Sequence, residues 1–399
     1  MASIEPRTRV NSQGKTVTRY LVRWRGPDGS EHAPGFDRLR DAKIFKANVE
    51  ADLVRGEYID PEAGKITFKA YALRWLEAQT FEPLTAEQVK DRLTLHVFPV
   101  LGHRELRQIK PSTIQTWIRG LGPVLAETYK GMIFTNVSTV FNAAVDDELI
   151  KKNPCKAPSV SRPRGKYPKI IPWSCERVHA VRSELPERYR IVATLGAGLG
   201  LRQGEIFGLS PADVDFLRGK VEVRRQVKLF RNNRQVFALP KGGKTRTVPL
   251  PDSVRDDLAA YLAMFGARSV TLPWREPSGE PVTAELVVTN RESKAMNRNY
   301  FNPYIWHKAL AAAEVEVTRA NGCHALRHFY ASTLLDAGET IKALSEYLGH
   351  ADPGFTLRTY THLMPSSHDR TRNAIDAVLR VKDVYTDGVE APKSLVKGP

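Results

Sequence analysis

Cysteine is scarce: Cys155, Cys175 and Cys323 are the only three in 399 residues. They lie far apart and in no metal-ligand spacing, as reduced thiols do, so a disulfide-stapled fold and a cysteine-based zinc site are not expected. Long apolar runs are missing too. No stretch approaches the roughly 20 residues that span a bilayer, and the opening MASIEPRTRV has no apolar stretch behind its charges. An unprocessed cytoplasmic protein without a membrane segment is expected. Internal repeats are absent. Acidic residues are missing from two places where bases concentrate: residues 151–170 hold seven Lys/Arg and no acid, and residues 218–246 hold ten Lys/Arg against Glu222 alone.

Those two blocks account for the whole formal charge of +16, so the remainder of the chain is neutral. A net charge alone does not separate nucleic acid from an anionic membrane, and a basic run is often only a solvated surface. Two concentrated blocks in a neutral chain favour phosphate binding. They nominate Lys151, Lys152, Arg162, Arg164, Lys166, Lys244 and Arg246 as contacts to a DNA backbone.

The chain is long enough for two or three domains, each with its own core. TVTRYLVRW alternates, turns at Gly26-Pro27-Asp28-Gly29 and resumes in a second extended segment, which signals a hairpin. Leu39, Ala42, Phe45, Val49 and Leu53 then recur at helical spacing until Gly56. Residues 1–60 therefore read as a small sheet-plus-helix module. Residues 66–150 read as all-α, with helices around 68–78 and 85–98, a third starting at Pro111, and a fourth over about 126–150. The proline- and lysine-rich stretch 151–170 reads as a linker. From 171 to 380 a mixed α/β domain is expected. In it KVEVRRQVKL, RQVFALP and TRTVPL form three strands, a helix capped at Asp252 or Ser253 follows, and the rest is mainly helical. Residues 381–399 read as a tail. The fold class is thus multidomain, mainly α with small β-sheets.

Four segments of the last domain carry groups suited to phosphate chemistry. In GAGLGLRQGEIFGL a glycine-rich turn presents Arg202, with Glu205 three residues on at the start of a short helix. A guanidinium suits a phosphodiester because it donates two parallel hydrogen bonds and keeps its charge; the bland alternative is a surface ion pair. In LPKGGKTRTVPL a basic turn carries Lys241 and Lys244, placed either to protonate a leaving oxygen or only to grip the backbone. In HALRHFYASTLLDAG, His324, Arg327 and His328 share one helical face. Zinc is the rival reading there, but Ala325 stands where the HExxH motif has its glutamate and no third ligand is evident. In EYLGHADPGFTLRTYTHL one helix ends near Gly349 and another begins at Asp352-Pro353, with His350 between them and Tyr360 on the second. A phenol with an ordinary pKa near 10 attacks only with cations beside it, and two arginines, a lysine and histidines supply them without metal.

In this order the four segments resemble those of the tyrosine recombinase family, the phage-integrase type, over roughly 170–380. GLGLRQGEI is similar to the family's first arginine box, LPKGGKTRTVPL to its β-hairpin lysine, HALRH to the histidine-x-x-arginine box, and LGHADPGFTLRTYTH to the histidine followed by the nucleophile. The resemblance implies that Arg202 and Arg327 bind the scissile phosphate, Tyr360 attacks it, Lys241 acts as general acid, His324 assists proton transfer and His350 bonds the phosphate. Glu205 falls where the family supports its arginine geometry with an acid. Residues 66–150 resemble the family's core-binding domain and 1–60 its arm-binding module.

The implied activity is site-specific recombination through a 3′-phosphotyrosine and a Holliday junction, integrating or excising a mobile element without cofactor, metal or ATP. The implied partners are double-stranded DNA attachment sites of core and arm type, three further copies of the chain in a tetramer, and DNA-bending or excision proteins. A relaxing topoisomerase shares this chemistry, and a DNA-binding regulator without catalysis shares the charge; a Holliday junction and a covalent adduct, respectively, distinguish them.

Overall fold

The computed structural model describes residues 2–10, 16–27, 29–56, 58–60, 62–165 and 170–360, together with positions 372, 375, 376 and 379. Lys166 and the tail expected at 381–399 lie outside the described residues. The chain divides into two compact units, residues 1–168 and 169–399.

The first unit contains two separate cores. At the N-terminus β1 (Ser3–Val10) pairs antiparallel with β2 (Thr16–Arg25) from Ser3↔Arg23 to Val10↔Thr16. The short β3 (Glu31–His32) and β4 (Gly35–Phe36) also pair with β2. Helix α1 (Leu39–Arg55) covers the sheet, burying Ala42 and Val49 with Val22 and Trp24, and Gly56 ends it at φ 68°. Strand β1 is absent from the sequence-based expectation because it is exposed almost throughout and offers no alternation.

The second core belongs to α2 (Phe68–Glu77), α3 (Pro83–His96), α4 (Phe98–Leu101), α5 (Pro111–Gly120) and α6 (Glu127–Asp146). Thr67 caps α2 by accepting from the Ala70 N–H, and proline stands in the first turn of α3, α4 and α5, where no N–H partner is lost. Phe68, Leu93, Ile114, Trp117 and Phe141 fill the interior. The supposed linker departs from expectation. As far as Gly165 it is docked on these helices, because Asn153 donates to Ser138 and Asn142 while its own oxygen accepts from the Cys155 N–H. Pro154, Cys155 and Pro163 are buried.

The second unit opens with α7 (Cys175–Glu184), α8 (Glu187–Leu199) and α9 (Gln203–Phe207). Strands β5 (Val214–Asp215), β6 (Lys220–Val223), β7 (Gln226–Leu229), β8 (Gln235–Ala238) and β9 (Arg246–Pro249) follow. KVEVRRQVKL is two strands, not one. It breaks at Arg224-Arg225, where Arg225 turns back to Asp213 at 2.9 and 3.1 Å. Strand β6 pairs with β5 and β9, and β7 with β8, so the turn bearing Lys241 and Lys244 passes from one sheet to another instead of closing a hairpin.

Helix α10 (Asp252–Phe265) starts directly after Pro251 and has no side-chain cap; Asp252 pairs instead with Arg255. A hairpin of β10 (Arg268–Pro273) and β11 (Pro281–Leu286) occupies a stretch expected to be helical. Then come α11 (Arg298–Phe301), a π-turn (Asn302–Trp306), α12 (His307–Ala312), α13 (His324–Asp336), α14 (Ile341–Leu348) and α15 (Pro353–Tyr360). Helices α8 and α13 form the middle of the core, with Leu195, Leu199, Leu326 and Ala331 fully or almost fully buried.

Candidate active site

Two helix ends set the site. Helices α8 and α14 both stop at a left-handed glycine, Gly200 at φ 62° and Gly349 at φ 62°. The carbonyls gathered there hold the two arginines. Arg327, 1% exposed on α13, donates to the Gly200 carbonyl at 2.7 Å and to the Leu348 carbonyl. Arg202, at the start of α9, donates to the Gly349 carbonyl at 3.4 Å. A side chain at Gly200 would put its Cβ 2.4 Å from the Tyr330 ring, so the close fit and the left-handed backbone both require glycine.

Glu205 locks the arrangement from below. Its carboxylate accepts the Arg202 backbone N–H at 2.9 Å and the Arg202 guanidinium at 2.8 Å. Arg246 adds a bidentate pair at 2.9 and 2.7 Å and donates to the Tyr347 carbonyl. Burial alone would raise the Glu205 pKa, but the bonds and charge of Arg246, with the charge of Arg202, outweigh it and bring it to about 2. Arg246 was nominated above as a DNA contact; the structure corrects this. Its guanidinium is spent inside the protein on Glu205, and only 8% of its side chain is exposed.

His350 sits between α14 and α15. Its Nε2 lies 3.1 Å from an Arg327 nitrogen and its Nδ1 2.7 Å from the Thr356 hydroxyl. Burial, then the cations Arg327, Arg202, Arg246 and Lys241, push its pKa down to about 3, so the ring is neutral at physiological pH. The influence of Lys241 on that ring places the exposed lysine turn beside the site. Lys244 is exposed on the same turn. His324 starts α13 on the solvent-open side; crowding by protein, His328 and nearby arginines lower its pKa.

Tyr360 ends α15 and is 1% exposed. Its hydroxyl lies 2.8 Å from His328 Nδ1. Burial raises the phenol to about 12 against the lowering pull of Arg327 and Arg202. The structure thus brings Arg202, Glu205, Arg327, His324, His350 and Tyr360 to one place. It also adds His328 and Arg246, whose partners lie far off in sequence. The face shared by His324, Arg327 and His328 was the signal that could have found the first. Among the described residues no three His, Cys, Asp or Glu side chains are grouped as metal ligands would be.

The first unit carries the other nominated basic residues. Arg162 and Arg164 line a cleft with Arg92, Thr135 and Asn136, and Arg162 donates to the Thr135 hydroxyl. Lys152 is exposed, and Lys151 is paired with Asp52 of α1.

Two family models match the chain: the phage integrase family over residues 174–366 and the phage integrase central domain over 68–159. The chain belongs to the phage integrase family of tyrosine recombinases. The first match spans every site residue from Arg202 to Tyr360, and the second runs from α2 through α6 into the docked stretch that follows. Among family relatives, a tyrosine recombinase XerC-like protein of Caldanaerobacter subterraneus is 31% identical over 261 residues, which is 61% of this chain and 63% of that protein. The integrase of Mycobacterium phage L5 is 25% identical over 333 residues, 81% of this chain and 84% of that one. The chain therefore spans less than two thirds of the first relative and most of the second.

In fold, the second unit and the helical domain follow solved integrases. The Tn1549 transposon integrase in complex with transposon right end DNA superposes with a TM-score of 0.64 at 19% identity, covering 79% of this chain and all of that one. A lambda integrase tetramer bound to a Holliday junction gives 0.55 at 14% identity, covering 88% of this chain and 96% of that one. Among the described residues of this integrase-family chain, no helix is long and apolar enough to cross a membrane.

Proposed function

We propose that this chain is a site-specific DNA recombinase that cuts and rejoins duplex DNA, with Tyr360 as nucleophile. The observation that carries the reading is that Arg202 and Arg327, anchored at the ends of α14 and α8 with His350 beside Arg327, both act by their charge on the buried Tyr360 phenol. An arginine has five N–H donors, so guanidiniums anchored on backbone carbonyls keep donors for a phosphodiester. Anchoring matters because donors fixed before the reaction stabilise the charge that develops on the phosphorane oxygens without reorganising. Glu205 and Arg246 hold Arg202 in place.

Attack by the Tyr360 oxygen forms a 3′-phosphotyrosine and releases a 5′ hydroxyl, whose departing oxygen takes a proton from Lys241. The phosphoryl bond is conserved in the adduct, so a 5′ hydroxyl from a partner strand reverses the step on a new strand, and two such exchanges pass through a Holliday junction. Four copies of the chain act on two attachment sites in the cytoplasm. Residues 1–60 bind separate arm sites and raise the local concentration of the catalytic unit at its core site. Arg162, Arg164, Lys151, Lys152, Lys166 and Lys244 contact DNA backbone, with Lys151 exchanging Asp52 for a phosphate. Integration or excision of a mobile element is the outcome, with bending and excision proteins setting the direction.

The test is covalent trapping. A nicked duplex library, in which the cleaved strand diffuses away, is incubated with the protein, and adducts surviving denaturation are digested and sequenced. The adduct is expected on Tyr360 and absent from Tyr360→Phe, whose DNA affinity is unchanged. An adduct on another residue, or none from any duplex, overturns the reading.

A further inference from the structure

A tyrosine hydroxyl that attacks phosphorus must lose its proton, and none of the roles assigned so far removes it from contact distance. His328 does have that contact. It lies one helical turn after His324 on α13, and its Nδ1 is 2.8 Å from the Tyr360 oxygen, with ring centroids 5.7 Å apart and planes at 61°. We propose that His328 is the general base of strand cleavage: its Nδ1 accepts the Tyr360 proton as the phenol oxygen bonds to phosphorus, and returns it when the strand is rejoined. The inference rests on Tyr360 being the nucleophile.

Three observations make the contact more than packing. The Tyr360 side chain is 1% exposed, so bulk water does not compete for the proton. His328 is neutral at physiological pH, because burial and then the charge of Arg327 lower its pKa to about 4, so one of its two ring nitrogens carries no proton, and in the tautomer with the proton on Nε2 it is Nδ1 that accepts from the phenol. His324 lies edge-on to His328 with ring centroids 4.6 Å apart, on the side open to solvent. The substrate then supplies what the free protein lacks. A phosphodiester anion between Arg202 and Arg327 offsets their positive charge and favours the imidazolium beside it, so the basicity of His328 rises when its function is needed.

The step balances without a co-reactant. The Tyr360 O–H bond breaks as the His328 Nδ1–H bond forms, the oxygen–phosphorus bond forms as the bond to the 5′ oxygen breaks, and Lys241 delivers one proton to that oxygen. No electron is transferred.

The experiment uses the full-length protein and the nicked duplexes recovered by covalent trapping, with difluorotyrosine placed at position 360. The fluorinated phenol is more acidic and ionises with little help from a base. In wild type, fluorination should change the adduct rate little. His328→Asn keeps a polar group near the Nδ1 position but accepts no proton. It should bind DNA normally and form adduct about 10²-fold or more slowly, the scale of a lost general base. Fluorination should recover much of that loss, whereas a substrate with sulfur at the bridging 5′ position should recover none. A His328→Asn enzyme as fast as wild type overturns the proposal, as does strong acceleration of the wild type by fluorination, which needs no variant to fold. Adduct mapped away from Tyr360 in the wild type overturns instead the reading on which it rests.

Discussion

At the scale of single residues, the site is a contest between burial and charge, and Glu205 shows which wins. Its carboxylate is almost wholly buried yet ionised, because Arg246 and Arg202 supply more stabilisation than desolvation removes. Since the folded pKa is depressed to about 2 from an ordinary 4.5, the pair contributes its full stability above about pH 4.5. That contribution is lost as pH falls through the folded value. Arg246→Met keeps most of the side-chain volume but leaves burial to dominate, so the Glu205 pKa rises. Breaking one half of a buried pair costs about 3–5 kcal/mol, and a loss of this order is expected in denaturant titrations at pH 7. The deficit should narrow as pH falls toward 4, where the variant's carboxyl takes up a proton and the wild type's does not. A deficit independent of pH would show that Arg246 acts by packing alone. Arg202, Arg327, His350 and Tyr360 were legible in the sequence because each stands in a local motif of distinctive chemistry. The inward turn of Arg246 and the bond from His328 to Tyr360 were not, because they join residues 41 and 32 positions apart through the tertiary fold.

At the scale of elements, legibility followed pattern. Helices with apolar periods and glycine or threonine ends, such as α1 and α2, stand where the periodicity puts them, within a residue or two. Strand β1 had no buried face to announce it, whereas β10 and β11 did alternate in RSVTLP and PVTAEL and were passed over in a stretch taken as helical. The break at Arg224-Arg225 depends on Asp213, outside the strand itself, and it changes the lysine turn. Because β8 and β9 belong to different sheets, the segment between them is not pinned by pairing with itself, and Gly242 and Gly243 both adopt positive φ there. A lysine on such a segment is free to reach a departing oxygen. A 5′ alkoxide is a poor leaving group and needs a proton, but a thiolate leaves without one. Lys241→Ala should therefore cleave ordinary DNA about 10²–10⁴-fold slowly and recover on DNA with bridging 5′ sulfur. Lys244→Ala should lose less, and equally on both substrates, since a backbone grip is indifferent to the leaving atom. Rescue of Lys244→Ala instead would exchange the two roles.

At the scale of the molecule, the first unit is where composition misleads most. The basic run after residue 150 reads as a linker from its prolines, yet Asn153 and Cys155 tie its first part to α6, and Lys151 is held by Asp52 of the N-terminal module. The boundary between that module and the helical domain is also set by packing. Ala63–Lys65 form a short turn whose Gly64 approaches Arg107 and the Leu149 carbonyl so closely that an added Cβ would lie 2.9 Å from each. The turn therefore belongs to the helical domain, and a truncation that tests the arm-binding role must begin at Glu62 to keep it. Such a protein retains the Phe68 core and the whole second unit and loses only the small core around Trp24. Its removal frees Lys151 from an exposed ion pair worth about 0–1 kcal/mol, too little to hold the helical domain together. The truncated protein should fold, form the Tyr360 adduct on nicked core duplexes at close to the full-length rate, and integrate poorly, because arm contacts supply local concentration and not chemistry. Raising the protein concentration should recover part of the integration defect, since concentration is what the module provides. A well-folded truncation that fails to form the adduct at any concentration would place residues 1–60 in the catalytic step itself.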